Sequence, residues 1–119
     1  MAAGAQLASV TLMRIKVAGD HLPITDDKRV YAEYRFFTAI APYEVRIRSV
    51  DVAIRRASAA NRPFLCRVVV DLGSSGRLKT QARAVHPVAA IDRAADRIAW
   101  LVSRRARQGF RLTSPSVSL

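Results

Sequence analysis

Between Val50 and Ala84 the chain alternates apolar and polar residues in three successive runs, and this alternation constrains the fold more than any other feature. Val50, Val52 and Ile54 alternate with Ser49, Asp51 and Ala53. Cys66, Val68, Val70 and Leu72 alternate with Leu65, Arg67, Val69 and Asp71. Leu78, Thr80, Ala82 and Ala84 alternate with Arg77, Lys79, Gln81 and Arg83. A period of two is that of a strand with one face buried and one wet. Asn61 and Pro63 break the first junction, and Gly73-Ser74-Ser75-Gly76 reads as a hairpin turn. A shorter alternation, Met13, Ile15 and Val17 against Arg14 and Lys16, predicts another strand near the start, ended by Gly19 and Pro23.

Two helices complete the pattern. Thr25 reads as an N-cap, and Asp26 and Asp27 suit the first turn of a helix running to about Ala41, where Pro42 stops it. Val30, Tyr34, Phe37 and Ala41 are spaced to share one face, which sets Lys28, Ala32, Arg35 and Ala39 on the opposite, outer face. A second helix opens at Pro87 and runs to about Arg107, with Gly109 as its stop. The order β-α-β-β-β-α predicts an α+β fold: a four-stranded sheet with both helices packed on one face. With 119 residues there is room for one domain, expected at 11–107, between flexible extensions at 1–10 and 108–119.

Charge narrows the function. Twenty basic residues face nine acidic ones, for a net charge of +11, and seventeen of the twenty are arginine. Such an excess repels itself in a compact state, and a polyanionic partner is its natural explanation. The last helix shows where that partner would sit. Val88, Ile91, Ala95, Ile98 and Val102 form its core stripe. Arg93, Arg97, Trp100, Arg104 and Arg107 form the stripe diametrically opposite, with Asp92 and Asp96 to one side. A guanidinium fork bonds two phosphate oxygens at once, and an indole stacks on an unpaired base. Lys28 and Arg35 are expected to extend this surface from the first helix, and Arg83 from the end of the fourth strand. The sheet's far face, with Arg14, Lys16, Arg67, Arg77 and Lys79, ranks second.

Other chemistries find little support. Cys66 is the lone cysteine. It allows no internal disulfide, fits a reducing cytoplasm, and alternates with core valines as inert packing. His21 and His86 read as loop and turn residues. Neither metal-ligand spacing nor a Walker loop nor a nucleophile elbow appears. No cofactor, metal or small-molecule substrate is expected, and the protein is not expected to be an enzyme. No apolar run approaches a membrane span, and the apolar N-terminus lacks the basic region of a signal peptide.

Several segments resemble the ribosome hibernation-promoting factors, also called ribosome-associated inhibitor or protein Y proteins. They are Ile15-Lys16-Val17-Ala18-Gly19 with His21, Ile24 and Thr25, then Arg46-Ile47-Arg48-Ser49-Val50, then Ala89-Ala90-Ile91-Asp92, and finally Asp96, Arg97, Ile98 and Arg104. The resemblance spans about residues 13 to 107. It implies two helices on one side of a four-stranded sheet, and binding to the 30S subunit through 16S rRNA in the tRNA and mRNA path, which inhibits translation under stress. On the family's last-helix pattern it assigns rRNA contacts to Arg97 and Arg104. It also implies a short form, without the dimerisation domain of longer members, and a protein expected to be monomeric when free. Trp100, Val88 and the stretch Arg83-Ala84-Val85-His86 depart from the family pattern. The alternative reading is a general RNA-binding or chaperone module with a surface like that of double-stranded-RNA-binding domains.

Overall fold

The structure is a computed structural model, described here for residues 13–57 and 61–109. Its elements are β1 (Arg14–Gly19), α1 (Asp26–Ile40), β2 (Ser49–Arg56), β3 (Phe64–Asp71), β4 (Arg77–Ala84) and α2 (Pro87–Arg107). The extension expected at 1–10, and that expected at 108–119 apart from its first two residues, lie outside the described residues.

The sheet runs in chain order, β1-β2-β3-β4. β1 and β2 are parallel, with Ile15 opposite Val50 and Val17 opposite Val52, because α1 carries the chain back between them. The other two pairs are antiparallel hairpins, Val52 facing Val68 and Val68 facing Thr80. The Gly73–Ser75 turn is a single 3-10 turn, with Gly73 at φ 65° and Gly76 at φ 95°, a region open mainly to glycine. At the end of β1, Gly19 admits no side chain, since a Cβ there would overlap the Leu22 carbonyl oxygen.

Both helices cover one face of the sheet, α1 over β1 and α2 over β3 and β4, and they pack side by side. Val50, Val52, Ile54, Val68, Val70, Ala82 and Ala84 point into this layer and meet Ile91, Ala94, Ala95, Ile98 and Val102 of α2. Thr25 caps α1 as expected, its Oγ1 accepting from the Lys28 amide at 3.3 Å. Pro42 ends the helix, and the chain continues through a 3-10 segment, Ala41–Arg46, before β2.

Two expected faces differ from those observed. In α1 the buried residues are Ala32, Phe36 and Ile40, whereas Val30, Tyr34 and Phe37 are exposed by 60%, 65% and 43%. The buried stripe is therefore rotated by about 120° from the expected one. Small Ala32 lets the helix approach its neighbours closely, and Phe36 and Ile40 fill the space beyond it. Val30, Tyr34 and Phe37 instead line a shallow concavity with Met13, Ile15, Glu33 and Glu44. In α2, Val88 is exposed in the first turn, while Ala90 and Ala94 join the core.

Cys66 is fully buried, and that burial raises its thiol to about 12. The thiolate is the reactive form, so native protein should resist alkylation at pH 8 and react at the rate of a free thiol only when unfolded. Native labelling as fast as denatured labelling would contradict this packing. The sign for stability follows. The folded value lies above the unfolded one, so the contribution is complete below about pH 9 and is lost as pH rises toward 12.

A basic furrow between β4 and the last helix

The site is built by the seam between an edge strand and a long helix. β4 ends the sheet, so one row of its backbone groups lacks a strand partner. The arginines of α2 reach down to that edge. Arg93 Nη1 donates to the Arg83 carbonyl at 2.9 Å, Arg97 Nη1 donates to the Gln81 carbonyl, and Arg105 Nη1 donates to the Ser75 carbonyl. Each guanidinium spends one of its five N–H donors in this way and has others to present outward.

The result is a furrow of three adjoining concavities. The first, about 200 Å³, is lined by Arg62, Gln81, Ala82, Arg83, Arg93 and Arg97. The second, about 370 Å³, shares Arg97 and adds Thr80, Asp96, Trp100 and Leu101. The third, about 170 Å³, lies between Leu78, Leu101, Arg104, Arg105 and Gln108. From Arg93 to Arg104 it runs for about 16 Å along the helix axis. Six arginines line it, and Asp96 is the single acid among the lining residues. Trp100 stands in the middle, 55% exposed, with the Arg104 guanidinium 5.2 Å from the centre of its ring.

The structure thus gathers Arg83, Arg93, Arg97, Trp100 and Arg104 into one place. Arg107 follows on the exposed side of the last turn, where it donates to Ser103 Oγ at 2.8 Å. Lys28 and Arg35 are not part of this surface, contrary to expectation. Neither is among the residues that line the three concavities. Arg35 is half-buried at the helix seam, its Nε 3.2 Å from Asp92 and its Nη2 2.7 Å from Asp96. The hydrogen bond to Asp96 holds its proton more firmly than usual. Tyr31 donates to Asp92 beside it, and that bond raises the phenol above its ordinary value. This cluster joins the helices, and it also explains why the two acids lie to one side of the arginine stripe.

Sequence reasoning missed Arg62 and Arg105. Arg62 follows a loop and carries no periodicity, but the pairing of Phe64 with Ala84 brings it to the end of β4. Arg105 is one residue off the outward stripe, and only the turn before β4 reveals its partner. On the helix-free face of the sheet, Lys16, Arg67 and Lys79 surround Asp51, Val69 and two alanines in a second concavity of mixed charge. Among the described residues no helix is long and apolar enough to cross a membrane.

Comparison with known proteins agrees with this architecture. No curated protein matches the chain by sequence. Among solved structures, the N-terminal domain of protein Y from Thermus thermophilus superposes with a TM-score of 0.62 at 28% identity, over 75% of this chain and 93% of that one. A ribosomal subunit interface protein from Coxiella burnetii superposes with a TM-score of 0.70 over 80% of this chain and 99% of that one, and at 16% identity the likeness is one of fold. Residues 15–108, which include the whole furrow, match the family described as sigma 54 modulation protein / S30EA ribosomal protein, and the chain belongs to that family.

Proposed function

We propose that this protein associates with the ribosome by laying the furrow between β4 and α2 against 16S rRNA of the small subunit. There it occupies the tRNA and mRNA path and inhibits translation. The observation that carries the reading is the concentration of six arginines along one seam of a chain of net charge +11. Membership in a family of ribosome-associated, hibernation-type proteins supplies the kind of RNA. Protein Y and a ribosomal subunit interface protein share the fold. Inhibition by occupancy needs no catalysis and no cofactor, and a ribosomal partner implies the cytoplasm.

Competition on isolated small subunits tests the assignment. Stoichiometric protein is expected to displace initiator tRNA or mRNA from the subunit. Undisturbed tRNA and mRNA at full occupancy would contradict it and favour a general RNA-binding module.

Salt supplies an independent test. Six phosphate contacts should make log affinity fall against log salt with a slope of about −4 to −5, a loss of several hundredfold between about 50 and 200 mM. A slope near zero would mean that contacts other than phosphate hold the complex.

A further inference from the structure

Trp100 is the chain's sole tryptophan, and the family resemblance offers no reason for an indole at this position. The indole is more than half exposed in the middle of the most basic seam of the protein. Solvent-facing arginines are compatible with a bare helix surface, while a large aromatic ring beside them offers a flat face on which another flat apolar group can stack.

The surroundings describe that partner. Trp100, Leu101 and Thr80 form a mainly apolar slot of about 370 Å³, near the lower end of the ~300–1,000 Å³ range of small-ligand clefts. Arg97 belongs both to this slot and to the concavity lined by Arg62, Arg83 and Arg93. Trp100 lies three positions after Arg97, about 4.5 Å along the axis and nearly on one face. Asp96, at the rim, is fixed on the other side by Arg35 at 2.7 Å. Its carboxylate repels a phosphate from the slot, while the neighbouring arginines attract one. The occupant therefore has a flat apolar body, and next to it an anion.

We infer that the slot takes the base of one unpaired nucleotide, stacked on Trp100, with an adjoining backbone phosphate held by Arg62, Arg83, Arg93 and Arg97. The inference rests on the RNA-binding reading above and deepens it. It says that the furrow selects a single-stranded or flipped-out nucleotide, since paired bases hide their faces in the helical stack. Arg104, over the ring, strengthens the platform through its contact with the indole.

Because Trp100 is the one tryptophan, its emission reports on the slot directly. Titration with an eight-nucleotide oligouridylate is expected to quench most of it. An abasic oligomer of the same length and charge should bind without quenching. Trp100→Ala, on an exposed helix face where truncation spares the fold, should weaken oligouridylate binding by about tenfold, the effect of losing one stacked base. It should leave abasic binding within twofold, and Trp100→Phe should restore most of the affinity. Equal quenching by the abasic oligomer, or unchanged oligouridylate affinity in Trp100→Ala, would overturn the inference. The same preparations, sedimented with small subunits, separate the two readings. Quenching by the oligomer without subunit binding keeps the slot and removes the ribosomal assignment. Subunit binding without quenching removes the slot alone.

Discussion

Arg97→Glu combined with Arg104→Glu is expected to lower the affinity for small ribosomal subunits by at least a hundredfold while the circular dichroism and melting curve stay close to those of the parent. Each side chain stands on the outward face of α2, and each lines a different part of the furrow. Hydrogen bonds to a charged group contribute about 1.5–3 kcal/mol each, so two lost phosphate contacts alone account for a hundredfold or more. The new carboxylates add repulsion, and the net charge falls from +11 to +7, because each exchange removes two units. The fold should tolerate the change. Arg97 gives up its bond to the Gln81 carbonyl, which lies at an exposed strand edge where water replaces it. Unchanged subunit affinity in the double variant would move the binding surface elsewhere, with the helix-free face of the sheet as the next candidate.

The second large effect concerns two adjacent phenylalanines. Phe36 is completely buried in the layer between α1 and the sheet, whereas Phe37 is 43% exposed on the flank of the helix. Phe36→Ala removes a ring from a close-packed core and should cost about 3–5 kcal/mol. In a domain of this size that lowers Tm by roughly 12–30 °C, and it consumes much of the ~5–15 kcal/mol that small domains have. Phe37→Ala should cost about 1 kcal/mol or less, since much of its ring already meets water. Thermal melts of the two variants measure the difference. A larger loss for Phe37→Ala than for Phe36→Ala would show that α1 is turned as its Val30, Tyr34 and Phe37 spacing suggests.

That contrast marks where the sequence was legible and where it was not. The strands could be read because a period of two, interrupted by glycine and proline, has few competing explanations. Thr25 and Gly73 announced their turns through local chemistry that the fold keeps. The stripe of α2 was equally plain, since Ile91, Ala95, Ile98 and Val102 face away from a row of arginines interrupted only by Trp100. α1 offered two apolar stripes instead of one, because Val30, Tyr31, Tyr34, Phe36 and Phe37 crowd three sides of a short helix. What decided between them is not local. Arg35 turns toward Asp92 and Asp96, residues 57 and 61 positions later, and in doing so fixes the rotation of α1 against α2. No window of sequence contains that information.

The same distinction applies to the site. The arginines of α2 at helical spacing and Arg83 could be found in the sequence, but Lys28 and Arg35 do not line the furrow, whereas Arg62, at the end of β4, and Arg105, off the outward stripe of α2, do. The choice of side follows from which strand α2 covers. That in turn follows from the order of the sheet, which brings β4 to its edge beneath the helix. Charge and periodicity therefore supply the surface, while the sheet order supplies its second wall.

The central claim is that this protein acts on the ribosome. Sucrose-gradient sedimentation of a stationary-phase lysate at low salt, with each fraction blotted for the protein, tests it most directly. The protein is expected to co-migrate with small subunits or with ribosomes that contain them, and to leave those fractions when the salt is raised to about 0.5 M. Its confinement to the top of the gradient at low salt, clear of every ribosomal fraction, would contradict the account.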